Sequence, residues 1–369
     1  SAAMRAHPAS QFVQDEACGA LWSLAVNDNN QVKIAGLGGI EAVLAAMRAH
    51  PASQDVQQHA CGALMILAAN DDNSVKIAGL GGIEAIAGLG GIEAVLAAMR
   101  AHPASQDVQQ HACGALMILA ANDDNSVKIA GLGGIEAVLA AMQAHPASQD
   151  VQEQACGALW NLAANAVIVV KIAGLGGIEA VLAAMRAHPA SQLVHQQACG
   201  ALLRLAAHAY NNVKIAGLGG IEAVLAAMRK HPASQDVQDE ACGALRNLAA
   251  NADNSVKIAG LGGIEAVLAA MRKHPASQDV QEQACGALMI LAINADNSVK
   301  IAGLGGIEAV LAAMQAHPAS QLVQQHACGA VLSLAANADI SAKIAGLGGI
   351  EAVLAAMRKH PASQSVQEQ

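Results

Sequence analysis

Between Gln11 and Val26 the apolar side chains Val13, Ala17, Ala20, Leu21 and Leu24 recur three and four residues apart and fall on one arc of a helical wheel. That spacing predicts one long helix and argues against a strand, because no period-two run occurs. Ahead of it, His7-Pro8-Ala9-Ser10 reads as a turn with Ser10 as the N-cap. Behind it, Asn27–Gln31 reads as a polar turn. Val32–Ala35 then forms barely one helical turn before Gly36-Leu37-Gly38-Gly39 breaks it. Ile40 to Ala49 is a medium helix, with Glu41 at the end where the helix dipole favours a negative charge.

The whole pattern returns. Its proline stands at Pro8, Pro51, Pro103, Pro146, Pro189, Pro232, Pro275, Pro318 and Pro361, at intervals of 43 residues except the second, which is 52. A fixed period in this range marks a solenoid, in which each unit buries its apolar face against its neighbours. The chain therefore reads as a single array over 1–369, with partial units at 1–31 and 342–369. The long interval holds a nine-residue duplication at 77–94, where IAGLGGIEA occurs twice in succession. More tellingly, Ile34–Ala85 and Ile86–Ala137 are the same 52 residues. The extra segment reads as a loop or one short helical turn, either a hinge or a recombination product. Neither end carries a polar capping unit, so head-to-tail self-association through the two end faces is an expectation.

The motif GGIEAVLAAM…HPASQxVxxxACGALxxLAAN resembles the armadillo repeat over essentially the full length. The resemblance implies an all-α, armadillo-type right-handed α-solenoid (superhelix) of about eight three-helix units, with the long helices lining a concave groove. Asn161 and Asn247 match the family's peptide-binding asparagine, whereas Ser23, Ile66, Ile118, Arg204, Ile290 and Ser333 stand at that position elsewhere. The family's groove tryptophan falls on Gly19 and its equivalents, which departs from the family pattern. Each such glycine weakens its helix by roughly 1 kcal/mol. It either leaves a notch for a ligand side chain or lets adjacent long helices approach.

The repeats also provide their own comparison. The arc holding Val13 and Leu24 scarcely changes between units, while positions 12, 15, 16, 22, 23 and 26 and their equivalents change freely. The candidate partner-binding residues on that second arc are Phe12, Trp22, Met65, Ile66, Met117, Ile118, Trp160, Asn161, Leu203, Arg204, Arg246, Asn247, Met289, Ile290 and Leu332, with Tyr210 just past it. Drift on a wet surface favours polar residues; large apolar groups and Arg are the types that dominate binding energy. Turns following the long helix vary too. Val167-Ile168-Val169 in one of them reads as an exposed apolar turn, poor for solubility unless it meets a partner.

Composition narrows the function further. Hydrophobic residues make up 54%, yet only Phe12, Trp22, Trp160 and Tyr210 are aromatic, so Ala, Leu, Ile and Val must pack the core. The net charge of −9 comes without any Lys/Arg block, which argues against nucleic acid or an anionic membrane as partner. No apolar run reaches the roughly 20 residues of a membrane span, and no signal peptide is visible; the chain opens in mid-unit, as a trimmed or processed product would. The eight cysteines, one per unit, lie beyond disulfide reach of each other and read as buried hydrophobes in a reducing, cytoplasmic setting. No Ser/His/Asp, paired-carboxylate or phosphate-loop arrangement rises above the repeat background. The expectation is a protein- or peptide-binding scaffold with no enzyme activity, no cofactor and no metal. Its origin is either a consensus-designed array or a natural adaptor from an expanded repeat gene, and a self-assembling structural array is the alternative class.

Overall fold

The computed structural model describes residues 2–79, 90–361, 363 and 366, and every secondary-structure element among them is a helix. The chain divides into two compact units, Ser1–His188 and Pro189–Gln369. Within each, the same triplet repeats, for example Ala252–Gly260, Gly263–Lys273 and Gln278–Leu291. These are a short, a medium and a long helix.

The short helix is longer than its sequence suggests. The segment expected to be a polar turn is its first turn: Asn27 caps it and the helix runs Asp28–Gly36. In the interior repeats the asparagine oxygen accepts from a backbone N–H two or three residues on, as Asn251 does from Asn254. Aspartate in the first turn and lysine in the last complement the dipole. The helix stops where Gly38 takes a left-handed conformation, φ 76°. The next glycine, Gly39, is required by proximity, since a methyl group there would lie 2.8 Å from the Ile34 carbonyl oxygen.

The same cap corrects the reading of Val167-Ile168-Val169 as an exposed turn. These residues lie in the helix Ala166–Gly174, where Ile168 (4% exposed) and Val169 are buried and only Val167 (80%) faces solvent. The buried pair occupies the places that Asn254 and Ser255, both buried, hold in another repeat.

Repeats are joined by polar ladders laid over an apolar core. The Gln57 amide donates to the carbonyls of Met47 and His50 at 2.8 and 3.0 Å, closing off the C-terminal end of the medium helix. The His50 ring meets the Pro8 carbonyl of the previous repeat at 2.8 Å. Lys257 bonds the carbonyl of Ala216 at 3.0 Å and pairs with Glu222 at 2.8 Å. Beneath these ladders Val280, Ala284, Cys285, Ala287, Leu288 and Leu291 are fully buried.

Residues 80–89 of the duplicated stretch 77–94 lie outside the described residues, and so does its reading as a loop or helical turn. On both sides the ladders continue. His102 reaches Pro51 and Asn125 reaches Ser74 across 51 residues of chain, where the corresponding interior bonds span 42. The extra nine residues are absorbed without loss of register.

Candidate functional site

The interchangeable positions lie on the long helices, each started by a serine cap such as Ser53, whose Oγ accepts from Val56 N. Four residues beyond the cysteine of each unit stand Trp22, Met65, Met117, Trp160, Leu203, Arg246, Met289 and Leu332. All but Leu332 are half-buried, and the contacts explain why. A methyl group on Gly62 would lie 2.9 Å from the Trp22 indole, and one on Gly286 2.7 Å from Arg246 Cδ. Met65 lies over Gly114 and Leu203 over Gly243 in the same way. Of the two readings of the glycine row, a ligand notch or a close approach of adjacent helices, the contacts at Gly62, Gly114, Gly243 and Gly286 favour the second, since side chains of the preceding repeat fill the space. From the other side, Gln154 reaches Gly114, Gln283 reaches Gly243 and His326 reaches Gly286.

At the first such place the filling is aromatic. The ring centroids of Trp22 and His111 are 4.6 Å apart, edge to face, and His59 lies 5.9 Å from the same indole while its Nδ1–H donates to Asp15 Oδ1 at 2.6 Å. His111 is buried and its Nδ1 has no partner. Burial holds its pKa below the ordinary imidazole value, against the pull of Asp107.

The next position along the helix holds Ile66, Ile118, Asn161, Asn247 and Ile290, all half-buried, and the exposed Arg204. The two asparagines that match the family's ligand-binding residue are engaged within the scaffold: Asn161 donates to Met117 O and Asn247 to Leu203 O, each at 2.8 Å. Trp160 is half-buried with its indole N–H buried and without an acceptor. Phe12 and Tyr210, each 73% exposed, and Leu332 stand apart from this paving.

In the unit Pro189–Gln369 the structure brings Arg246, Asn247, Met289 and Ile290 together around a cavity of about 440 Å³, joined by Asn251 and His326. The last two were not singled out from sequence. His326 occupies a variable slot that the repeat comparison had flagged, so the signal was present. Carboxylates accumulate around Arg246 on its own helix, Gln235–Leu248, and on the next long helix, Gln278–Leu291. Burial, then repulsion from Asp279, Glu282 and Asp236, pushes Asp239 up to about 7; burial and Asp239 push Glu240 up to about 8. One oxygen of each is buried without a hydrogen-bond partner. Burial likewise lowers the pKa of Arg246, against the pull of Glu282 and Asp239.

This arrangement suits recognition through shape and charge. Among the described residues no three His, Cys, Asp or Glu side chains cluster as metal ligands would. Burial pushes the thiols of Cys61, Cys113, Cys156 and Cys285 up to about 12, so they stay protonated at neutral pH. No single helix among the described residues is long and apolar enough to cross a membrane.

The family model described as LRRK2 ARM repeat matches residues 87–369. No curated protein matches the sequence. Among solved structures, an engineered protein from a structural genomics programme aligns at TM-score 0.58 and 22% identity, over 66% of this chain and 96% of its own. β-Catenin, in a structure whose subject is a phosphorylation switch controlling its interaction with cadherin, aligns at TM-score 0.57 and 16% identity, over 94% of this chain and 77% of its own. At these identities the two structures bear on the fold alone.

Two outcomes follow from the geometry. Gly62→Ala gains about 1 kcal/mol of helix propensity but must displace a rigid indole, and such overpacking costs about 1–3 kcal/mol; urea denaturation should show a net loss. Gly286→Ala meets the flexible Arg246 chain instead and should be neutral or stabilising.

The raised carboxyls set a pH dependence. Their folded pKa values lie above the unfolded ones, so the contribution of these two groups to stability is complete below about pH 4 and is lost as pH rises toward the folded values of about 7 and 8. Glu240→Gln should therefore stabilise the protein by about 2 kcal/mol at pH 9, less than the full shift because water still reaches part of the carboxyl, and do little at pH 4. Denaturation curves at the two pH values check it.

Proposed function

Because the chain belongs to the armadillo-repeat family, we propose that it is a protein- or peptide-binding scaffold that works through the interchangeable face of its long helices and performs no chemistry of its own. The observation that carries this reading is the confinement of variation. Large apolar side chains, Arg and Asn replace one another on that face, while Val, Ala, Cys and Leu beneath it hardly change. Each paving side chain is partly covered by its neighbours, and the part left exposed is amphipathic surface of the kind hot spots use. The cavity lined by Arg246, Asn247, Met289 and Ile290 lies on it. The net charge of −9 favours a protein over a nucleic acid as partner, and the protonated thiols of Cys61, Cys113, Cys156 and Cys285, none in a disulfide, fit a reducing compartment. A consensus-designed origin and a natural adaptor origin are both compatible with this function.

The test is a displayed peptide library selected on the intact chain, followed by affinity measurement on a variant carrying Arg246→Ser, Asn247→Ser, Met289→Ser and Ile290→Ser, with helicity followed by circular dichroism. A loss of about 30-fold or more at unchanged helicity is expected, corresponding to roughly 2 kcal/mol. Equal binding to both proteins, or no enriched peptide at all, would sink the proposal.

A second reading, self-assembly, has one specific observation behind it. Leu24 is 54% exposed where the interior Leu67 is sealed, and Ile350 is 58% exposed where Ile307 is sealed. A second copy would cover both end faces. Light scattering should then show mass rising with concentration, and Leu24→Glu should suppress the rise; a constant monomer mass rules this reading out.

A further inference from the structure

Two polar ladders run through the repeats, and both change at the same point. In the first, a glutamine closes the medium helix in seven places among the described residues: Gln14, Gln57, Gln109, Gln152, Gln238, Gln281 and Gln324 each donate to two carbonyls. At the equivalent place stands His195, 4% exposed. In the second, the histidine before each proline binds the proline carbonyl of the repeat before it, as His274 does with Pro232 and His317 with Pro275, both at 2.9 Å. His231 is the exception. Its Nε2 meets His195 Nδ1 at 3.1 Å, with the ring centroids 5.0 Å apart and the planes at 75°.

We propose that the His195–His231 pair is an acid-sensitive joint in the unit Pro189–Gln369, opened when both imidazoles carry a proton. A hydrogen bond between two imidazoles needs an N–H on one ring and a lone pair on the other. One proton can be accommodated on the other nitrogen of the donor ring. A second removes the only acceptor, sets two N–H groups against each other and puts a charge on a ring that is almost fully buried. The ordinary His–Pro rungs do not share this weakness, because a protonated imidazole still donates to a carbonyl oxygen.

The charged side chains on the helices packed around the pair are Arg204 on Gln192–Leu205, Glu222, Arg229 and Lys230 on Gly220–Lys230, and Asp236, Asp239, Glu240 and Arg246 on Gln235–Leu248. Burial first, and Lys230 second, hold the pKa of His231 below its ordinary value. For a histidine shifted downward, the stabilising contribution is complete above the unfolded pKa of about 6.5 and is lost as pH falls through it toward the folded value.

The chain supplies its own controls. His195→Gln installs the residue that the other repeats use. Gln281→His places an imidazole 36 residues ahead of His317, the separation of the native pair. Denaturant unfolding and backbone amide exchange over residues 192–248, corrected for intrinsic exchange, would be compared at pH 7.5 and 5.5 with EDTA present. Between those pH values the unfolding equilibrium of the wild type should shift about tenfold further toward unfolding than that of His195→Gln, which is one pKa unit of linkage. Gln281→His should acquire a similar sensitivity, with faster acid exchange around residues 278–317. Equal pH dependence in wild type and His195→Gln, or a Gln281→His protein no more acid-sensitive than wild type, overturns the proposal. Should His195→Gln not fold, the transplanted pair decides alone. None of these readouts depends on a binding partner, so the joint stands or falls separately from the binding function.

Discussion

Adjacent long helices pack through a row of glycines over which side chains of the preceding repeat lie, as Trp22 does over Gly62 and Arg246 over Gly286, and the rest of the variable face follows from that constraint. The glycine after each cysteine creates the gap, and the chain fills it from both directions. A residue four past the cysteine of one repeat lies across the glycine of the next, and a residue two before the cysteine of the repeat after that meets it there. Trp22, Gly62 and His111 form one such set; Arg246, Gly286 and His326 form another. The helix-propensity cost of each glycine, about 1 kcal/mol, is offset by the contacts the gap admits. It also makes the interchangeable positions dependent on each other across three repeats, so that exchanging Trp22 alone would leave His111 facing a void.

Much of this architecture was legible because the sequence states it many times. Helical periodicity, the proline beat and the left-handed glycine survive averaging over the repeats, and each has a local cause. What escaped has a local cause as well. The short helix looked like a single turn because its first turn, Asp28 to Gln31, is polar throughout; yet an asparagine cap needs only one side-chain oxygen and a run of N–H groups to start a helix. Val167-Ile168-Val169 looked exposed because the residues usually found there are Asn and Ser. Those polar residues are themselves buried and hydrogen-bonded, as the Asn297 amide is to the Ser255 hydroxyl at 3.0 Å, so an apolar pair can take their place in the interior. The paving of the glycine row was invisible for a different reason. It joins residues 40 or more apart through rotamers, and no spacing rule on one helix reports which way a neighbour's side chain leans.

The polar ladders show the opposite economy. Gln281 is almost fully buried, an expensive place for an amide unless its donors are satisfied, and both of its N–H groups are. Because each rung ties a side chain to a main-chain carbonyl, the rungs constrain backbone spacing whatever occupies the variable face. This separation explains how Trp, Met, Leu and Arg succeed each other in one slot without disturbing the helices on either side. The Lys–Glu pairs add little by themselves, since their side chains are roughly two-fifths exposed; the lysine's bond to the preceding repeat's carbonyl is the part that holds position.

On the proposed reading, stability and recognition are therefore drawn from the same side chains on most of this face. A residue such as Met289 or Arg246 presents one flank to the next helix and the other to solvent, so truncating it removes packing and binding surface together, and affinity alone cannot apportion the loss. Phe12 and Tyr210 are different. With 73% of each exposed, they contribute little to the stack, and leaving an aromatic ring in water yields no folding free energy that a smaller residue would forfeit. If the face is a binding surface, these two positions are where function can be separated from fold, because nothing in the packing accounts for their size.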